Sequence, residues 1–282
     1  MEAVSHAAIN LLAQLGALLA LVAPSGPGGP QRYVALGDSY SAGTGTSAYD
    51  ASAGCQRSRH AYPALVAARR PNLKLVFAAC AGATTDDVLL DQVARLNEAT
   101  RLVTITIGGN DVGFAEVLGA CVRASATACA NAIDSGTALI REALPAKLDA
   151  VYREIRRRAP DARVIVLGYP RLFSRSGCQS IPRALVARLN RGAVLLRDTV
   201  RRRVRAAGRG FSFQDALGAF EGHGICARSP WIHGLVSPVN ESYHPNRAGH
   251  SRGYAPLVLR AIGTGPGDAR GAGARMSRLR RP

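Results

Sequence analysis

Arg32-Tyr-Val-Ala-Leu-Gly-Asp-Ser-Tyr-Ser-Ala-Gly43 is the stretch whose reading decides the fold. An apolar, β-prone run from Tyr33 to Leu36 stops abruptly at Gly37-Asp38-Ser39, where a strand gives way to a loop or helix. In an open α/β sheet the carboxyl edge of a strand is where ligands bind. A serine at that edge can present its hydroxyl to a substrate and its own N–H to an oxyanion. Taken alone, Ser39 reads more readily as a turn or N-cap residue than as a nucleophile.

Outward from this strand, short apolar runs recur at Lys74–Ala79, Arg101–Ile107, Arg163–Leu167 and Phe211–Gln214. Helical patterns fill Tyr62–Arg70, Thr85–Leu96, Ile133–Arg158, Pro182–Ala207 and Pro245–Ile262. Strands alternating with helices predict a parallel sheet covered on both faces. Three strands end in loop or cap residues: Gly-Asp-Ser after the first, Cys-Ala-Gly after the second, Gly-Gly-Asn-Asp after the third. In a parallel sheet these turns share one edge. The segments 44–60, 112–131 and 216–240 read as inserted loops walling that edge. Within them, Phe114, Val117, Leu118, Trp231 and Ile232 fit an acyl-chain site or ordinary core.

The 282-residue chain carries a net charge of +17, almost all of it arginine, since Lys74 and Lys147 are the two lysines. Aromatic residues make up 5%, and none is interleaved with basic runs as a base-stacking platform requires, so no nucleic-acid partner is expected. The arginines read as solvated helix faces, with weak attraction to an anionic membrane or cell-envelope surface as the alternative. Six cysteines at 55, 80, 121, 129, 178 and 226 include no Cys-x-x-Cys pair, which favours disulfides over zinc. Ile9–Ala23 is an apolar stretch of signal-peptide length, followed by Pro24-Ser-Gly-Pro-Gly-Gly-Pro30, although Glu2 stands where a positive n-region is usual. An uncleaved anchor or a plain helix are the other readings. The expected organisation is a leader and junction over 1–30, one catalytic domain over 31–262, and a disordered Gly- and Arg-rich tail over 263–282.

A serine esterase needs a nucleophile, a base and donors aimed at the developing oxyanion. Ser39 can supply the first. Its N–H, the Gly82 N–H and the Asn110 side-chain amide can supply the third. The base is expected at His244, in Glu241-Ser-Tyr-His-Pro-Asn246, where Pro245 keeps the histidine out of the helix that follows. His250 reads as structural.

Gly37-Asp-Ser-Tyr40, Gly82, Gly108-Gly-Asn-Asp111 and His244-Pro-Asn246 together resemble the four blocks of the SGNH (GDSL-type) hydrolases, in that family's order. The resemblance runs from about Arg32 to Ile262 and is nearest to the secreted actinobacterial esterase, lipase and phospholipase branch. It implies a flavodoxin-like three-layer α/β/α sandwich on a mainly parallel sheet of about five strands. It also implies a Ser39 acyl-enzyme with His244 as general base, and Ser39, Gly82 and Asn110 as the oxyanion hole. Asp38 becomes a structural turn residue. The implied disulfides are Cys55–Cys80, Cys121–Cys129 and Cys178–Cys226. The family usually places aspartate three residues before the histidine, and here that position is Glu241. Either its side chain or a main-chain carbonyl in the loop orients His244, with Asp215 a remaining acid. The implied protein is a secreted, monomeric esterase or lipase of small-molecule or lipid esters, with no cofactor and no metal. A carbohydrate deacetylase, a transacylase or a non-catalytic secreted binding protein are the alternatives on the same scaffold.

Overall fold

A computed structural model describes residues 29–50, 54–123, 125–174 and 181–263. The expected leader and basic tail lie outside the described residues, apart from Gly29, Pro30 and Gly263. In chain order the elements are β1 (Gln31–Gly37), α1 (Ser39–Ala42), α2 (Tyr62–Arg69), β2 (Leu73–Phe77), α3 (Thr85–Leu90), β3 (Thr100–Thr106) and α4 (Phe114–Arg123). There follow α5 (Ala126–Glu142), α6 (Leu144–Arg158), β4 (Arg163–Leu167), α7 (Arg183–Ala207), β5 (Phe211–Gln214), α8 (Ala216–Ala219) and α9 (Ala255–Gly263).

The five strands form one sheet in the order β2-β1-β3-β4-β5, every pair parallel. β1 and β4 carry near-continuous apolar runs, and β3 mixes apolar residues with buried threonines, because both faces are covered. Tyr33 to Leu36 and Val164 to Val166 are all fully buried. α2 and α9 pack together on one side, while α3, α5, α6 and α7 pack against one another on the other. This is the flavodoxin-like three-layer arrangement that the resemblance implied.

Strand order reverses at β1, which has β2 on one side and β3 on the other, so the chain leaves a crevice at the carboxyl ends of β1 and β3. Ligands of such sheets bind at that switch point. Gly37 shapes it. At φ +118° an added Cβ would fall 2.2 Å from the Thr106 carbonyl oxygen. Glycine therefore lets β1 turn tightly against β3, and the next amide, Asp38 N–H, donates to that same oxygen at 3.0 Å.

The helices differ from expectation in several places. The segment 112–131, read as a loop, contains α4 and the first turns of α5. The single helix expected over 133–158 is two, separated at Ala143, with Pro145 in the first turn of α6, where a missing N–H costs nothing. The last predicted helix, from Pro245, begins instead with a wide π-type turn over Gly249–Tyr254 before α9.

Candidate active site

Ser39 occupies the first position of α1, directly after β1, and is 8% exposed. The preceding Asp38 caps this helix. Its carboxylate accepts from Tyr40 N–H at 3.0 Å, from Thr106 Oγ1 at 2.7 Å and from the Tyr169 hydroxyl. Burial pushes the Asp38 carboxyl up to about 6 against the pull of those donors. With both oxygens engaged, Asp38 fixes the turn and is unavailable to the imidazole.

The second turn follows β2. Ala81 N–H donates to the Cys55 carbonyl at 3.0 Å, and the Cys55–Cys80 disulfide joins the same two segments. Gly82 sits in this turn. Neither its N–H nor that of Ser39 donates to a described group. The third turn, after β3, brings Asn110 alongside. Its Nδ2 donates to the Ala83 carbonyl at 2.9 Å, which spends one of the two amide protons and leaves the other free. Gly109 N–H donates to the Tyr169 hydroxyl at 3.1 Å, and that hydroxyl donates in turn to Asp38. Thus Tyr169, from the edge of β4, links the first turn to the third.

His244 reaches this edge from the other end of the chain. Its Nε2 lies 2.8 Å from Ser39 Oγ and its Nδ1 2.9 Å from the Ser242 carbonyl oxygen. A carbonyl can only accept, so Nδ1 carries the proton of the neutral ring and Nε2 accepts from the serine hydroxyl. The loop is pinned from below: the Tyr40 hydroxyl donates to the Tyr243 carbonyl at 2.7 Å, and His233 N–H to the His244 carbonyl at 2.9 Å. Burial pushes the His244 ring down to about 4, partly offset by the Ser242 carbonyl. The imidazole is therefore neutral, and competent to take a proton, across the neutral range.

Glu241 is placed differently from the expected acid partner. Its carboxylate accepts from Ser47 Oγ at 2.7 Å and Tyr49 Oη at 2.6 Å, on the loop after α1. These two donors hold its carboxyl below the ordinary value, although burial works to raise it. Its own carbonyl accepts only the backbone N–H of His244, at 3.4 Å. Of the alternatives left open by the sequence, a main-chain carbonyl holds Nδ1, and it belongs to Ser242. Asp215 caps α8 and pairs with Arg197 at 2.9 Å, away from the imidazole. His250 is buried, and its Nδ1 accepts from Tyr62 N–H at 3.2 Å, a structural position as expected.

Two hollows meet at Ser39. One is narrow, about 100 Å³, and apolar, walled by Phe114, Val117 and Leu118 of α4, Ile133 and Ile140 of α5, and Leu196 of α7. A water needs about 10–15 Å³ by the same measure, so this one holds a chain of several heavy atoms. The other is wider, about 460 Å³, and runs past Gly82, Asn110 and His244 between α4 and the loop 235–243. Phe114, Val117 and Leu118 are thus lining residues. Trp231 instead stacks on His223 at 3.7 Å, and Ile232 is buried, both outside the two hollows.

Cys121–Cys129 ties α4 to α5. Cys226 is also disulfide-bonded, and its expected partner, Cys178, lies outside the described residues. Among those residues no helix is long and apolar enough to cross a membrane.

A hydroxyl bound to a neutral imidazole, with three donors beside it, is the equipment of acyl transfer. The model of the GDSL-like Lipase/Acylhydrolase family matches residues 35–252, which spans the three turns and the His244 loop. The chain belongs to this family. It is an ester hydrolase of the GDSL, or SGNH, type.

Its relatives agree with that placement. The hydrolase is 44% identical over 227 residues to a lipase of Streptomyces rimosus, covering 80% of this chain and 85% of that protein. Among solved structures, the extracellular lipase of Streptomyces rimosus superposes with a TM-score of 0.79 at 43% identity, covering 82% of this chain and 99% of that one. Phospholipase A1 of Streptomyces albidoflavus gives 0.78 at 41% identity, with the same coverage.

A main-chain carbonyl was among the expected partners of His244, but no side-chain motif assigns it to Ser242. Tyr169 was missed, although it follows Gly168 at the end of β4 and so shares the edge of the other turns, a signal that was available.

Proposed function

We propose that this hydrolase is an exported serine enzyme that cleaves lipid acyl esters through a Ser39 acyl-enzyme. The observation that carries the proposal is the 2.8 Å contact of Ser39 Oγ with His244 Nε2, at the mouth of a narrow apolar cavity. As Oγ attacks the ester carbonyl carbon, its proton passes to Nε2 and the carbonyl oxygen takes the negative charge. The N–H groups of Ser39 and Gly82 and the free amide proton of Asn110 stabilise that oxyanion. Collapse breaks the carbon–alcohol oxygen bond, and His244 returns the proton to the departing alcohol. A water then repeats the cycle on the acyl-enzyme, with His244 again as base and Ser39 as leaving group.

The Ser242 carbonyl keeps the ring in the reactive tautomer and offers its negative end to the imidazolium formed in each step. The acyl chain lies in the narrow cavity, since apolar surface buried there contributes about 25 cal/mol per Å². The alcohol leaves through the wider cleft. Disulfides at Cys55–Cys80 and Cys121–Cys129 support folding in an oxidising compartment outside the cytoplasm.

The test is hydrolysis of p-nitrophenyl esters from acetate to palmitate, with Ser39→Ala as control and labelling by a fluorophosphonate. Turnover and labelling should both vanish in Ser39→Ala. A protein labelled elsewhere, or active without Ser39, removes the mechanism. Activity confined to acetate removes the lipid part of the reading.

A further inference from the structure

In the wider cleft one charged side chain has no ion pair or hydrogen bond among the described residues. Among the residues lining it, Arg123 alone is charged, His244 being neutral. Many arginines elsewhere are engaged: Arg157, Arg158, Arg188, Arg197 and Arg203 all pair with carboxylates. Arg123 makes no ion pair or hydrogen bond among the described residues. The acidic residue of its own helix, Glu116, sits two turns away with its carboxylate turned toward Gly113.

The guanidinium is not simply pointing to solvent. An ideal Cβ on Gly119 would lie 2.7 Å from its Nη2, so the side chain folds back along the bare face of α4, on the cleft side. Across the cleft is Tyr243, whose phenol is pushed up by burial and pulled back by the charge of Arg123. Gly119 is five residues beyond Phe114, about 7.5 Å along the helix axis. Phe114 in turn packs edge-on against Tyr40, the residue after Ser39, at 6.3 Å between ring centroids. Arg123 and Ser39 thus line one cleft, the one assigned to the departing alcohol.

That position suits one kind of alcohol. A neutral acylglycerol or a sugar leaves the guanidinium unused. A phosphodiester linked through glycerol brings a fixed negative charge to it, and the planar fork of donors matches two phosphate oxygens. We propose that Arg123 selects esters with an anionic phosphate on the alcohol side, so that the preferred substrate class is glycerophospholipid rather than neutral acylglycerol. The proposal rests on the Ser39–His244 reading above and specifies the alcohol half of its substrate.

The experiment uses two substrates with the same acyl chains, dihexanoyl phosphatidylcholine and dihexanoylglycerol, both below their aggregation concentrations. Working with monomers separates phosphate recognition from attraction to an anionic surface. The readout is the ratio of kcat/KM for the phosphate ester to that for the neutral ester. In the wild-type protein this ratio exceeds one. Arg123→Gln should lower it about 10-fold, chiefly through KM of the phosphate ester, as expected for loss of a charge-assisted hydrogen bond. Arg123→Glu should lower it further, and Arg123→Lys should retain part of it. Arg141→Gln, which removes an exposed charge on α5, should leave the ratio in place.

A ratio below one in the wild type, or one unchanged by Arg123→Glu, overturns the proposal. So does an equal fall in Arg141→Gln, which would assign the preference to overall charge. Ser39→Ala is run in parallel. Residual hydrolysis there contradicts the acyl-enzyme, while the ratio reports on Arg123 separately.

Discussion

The Nδ1 proton of His244 rests on the carbonyl oxygen of Ser242, 2.9 Å away, and no carboxylate among the described residues touches the ring. Glu241 occupies the place where this family usually has the acid, yet its carboxylate is spent on Ser47 and Tyr49. A carboxylate that truly orients a catalytic imidazole is worth about 10⁴ in kcat when replaced by its amide.

Glu241→Gln should therefore lower kcat by less than about 10-fold. Its main effect should fall on stability, of order 1–3 kcal/mol, because a buried group loses a well-matched pair of donors. Steady-state kinetics and a denaturant titration on the same preparation separate the two. A loss near 10⁴ with unchanged stability would restore Glu241 as the acid.

Asn110→Ala should lower kcat by about 10²–10³ with little change in KM, as loss of one oxyanion donor does. The same substitution removes the bond to Ala83, worth about 1 kcal/mol of stability. Near-normal kcat would take Asn110 out of the oxyanion hole.

The pH profile carries a sign that follows from burial. The His244 ring titrates at about 4 in the folded protein, so the acid limb of kcat/KM should lie near there rather than near the ordinary 6.5. In the unfolded chain the ring takes its proton at the ordinary value. Between those two values the unfolded state binds more protons, and stability falls as pH drops through that window. His250, pushed down by burial to about 3, acts in the same direction. Asp38, lifted to about 6, opposes them, since its folded form takes up a proton at higher pH than the unfolded one. An acid limb centred at 6.5 would mean the ring is solvated.

Chain-length preference should respond to Gly192. This residue of α7 lines the narrow apolar cavity, and a Cβ placed on it meets nothing within 4 Å. Gly192→Leu has open space at its Cβ and adds bulk to the wall of the space assigned to the acyl chain. The expected result is a fall in kcat/KM for p-nitrophenyl decanoate and longer esters, with acetate and butyrate much less affected. A uniform effect along the series would place the chain elsewhere.

The sheet was legible because its strands are short apolar or β-branched runs set between helical patterns, and all five expected strands coincide with observed ones to within two residues. The turns were legible too, since Gly37, Asp38 and Asn110 are residues that strand ends favour. α4 was not. Its sequence holds Gly119, β-branched Val117 and Val122, and Cys121, which weaken a helical pattern. Packing on α5 and the Cys121–Cys129 link hold it in place, and both are tertiary. The same holds for the π-type turn, where the Phe220 ring packs into space that any side chain at Gly253 would fill. At the candidate site, the gathering of Ser39, Gly82, Asn110 and His244 at one edge followed from residue types and their order. The partner of His244 Nδ1 did not, because every residue between Glu241 and His244 carries an equivalent carbonyl and only the loop's path selects one.

Ser39 and His244 stand 205 positions apart and meet only where the first strand and the last loop share an edge. A ribosome thus delivers the nucleophile early and its base almost at the end. A chain interrupted before His244 would contain Ser39, Gly82 and Asn110 and still lack a proton acceptor for the serine. On the proposed mechanism, a polypeptide terminated before His244 is therefore inert toward esters, whatever else of the site it already carries.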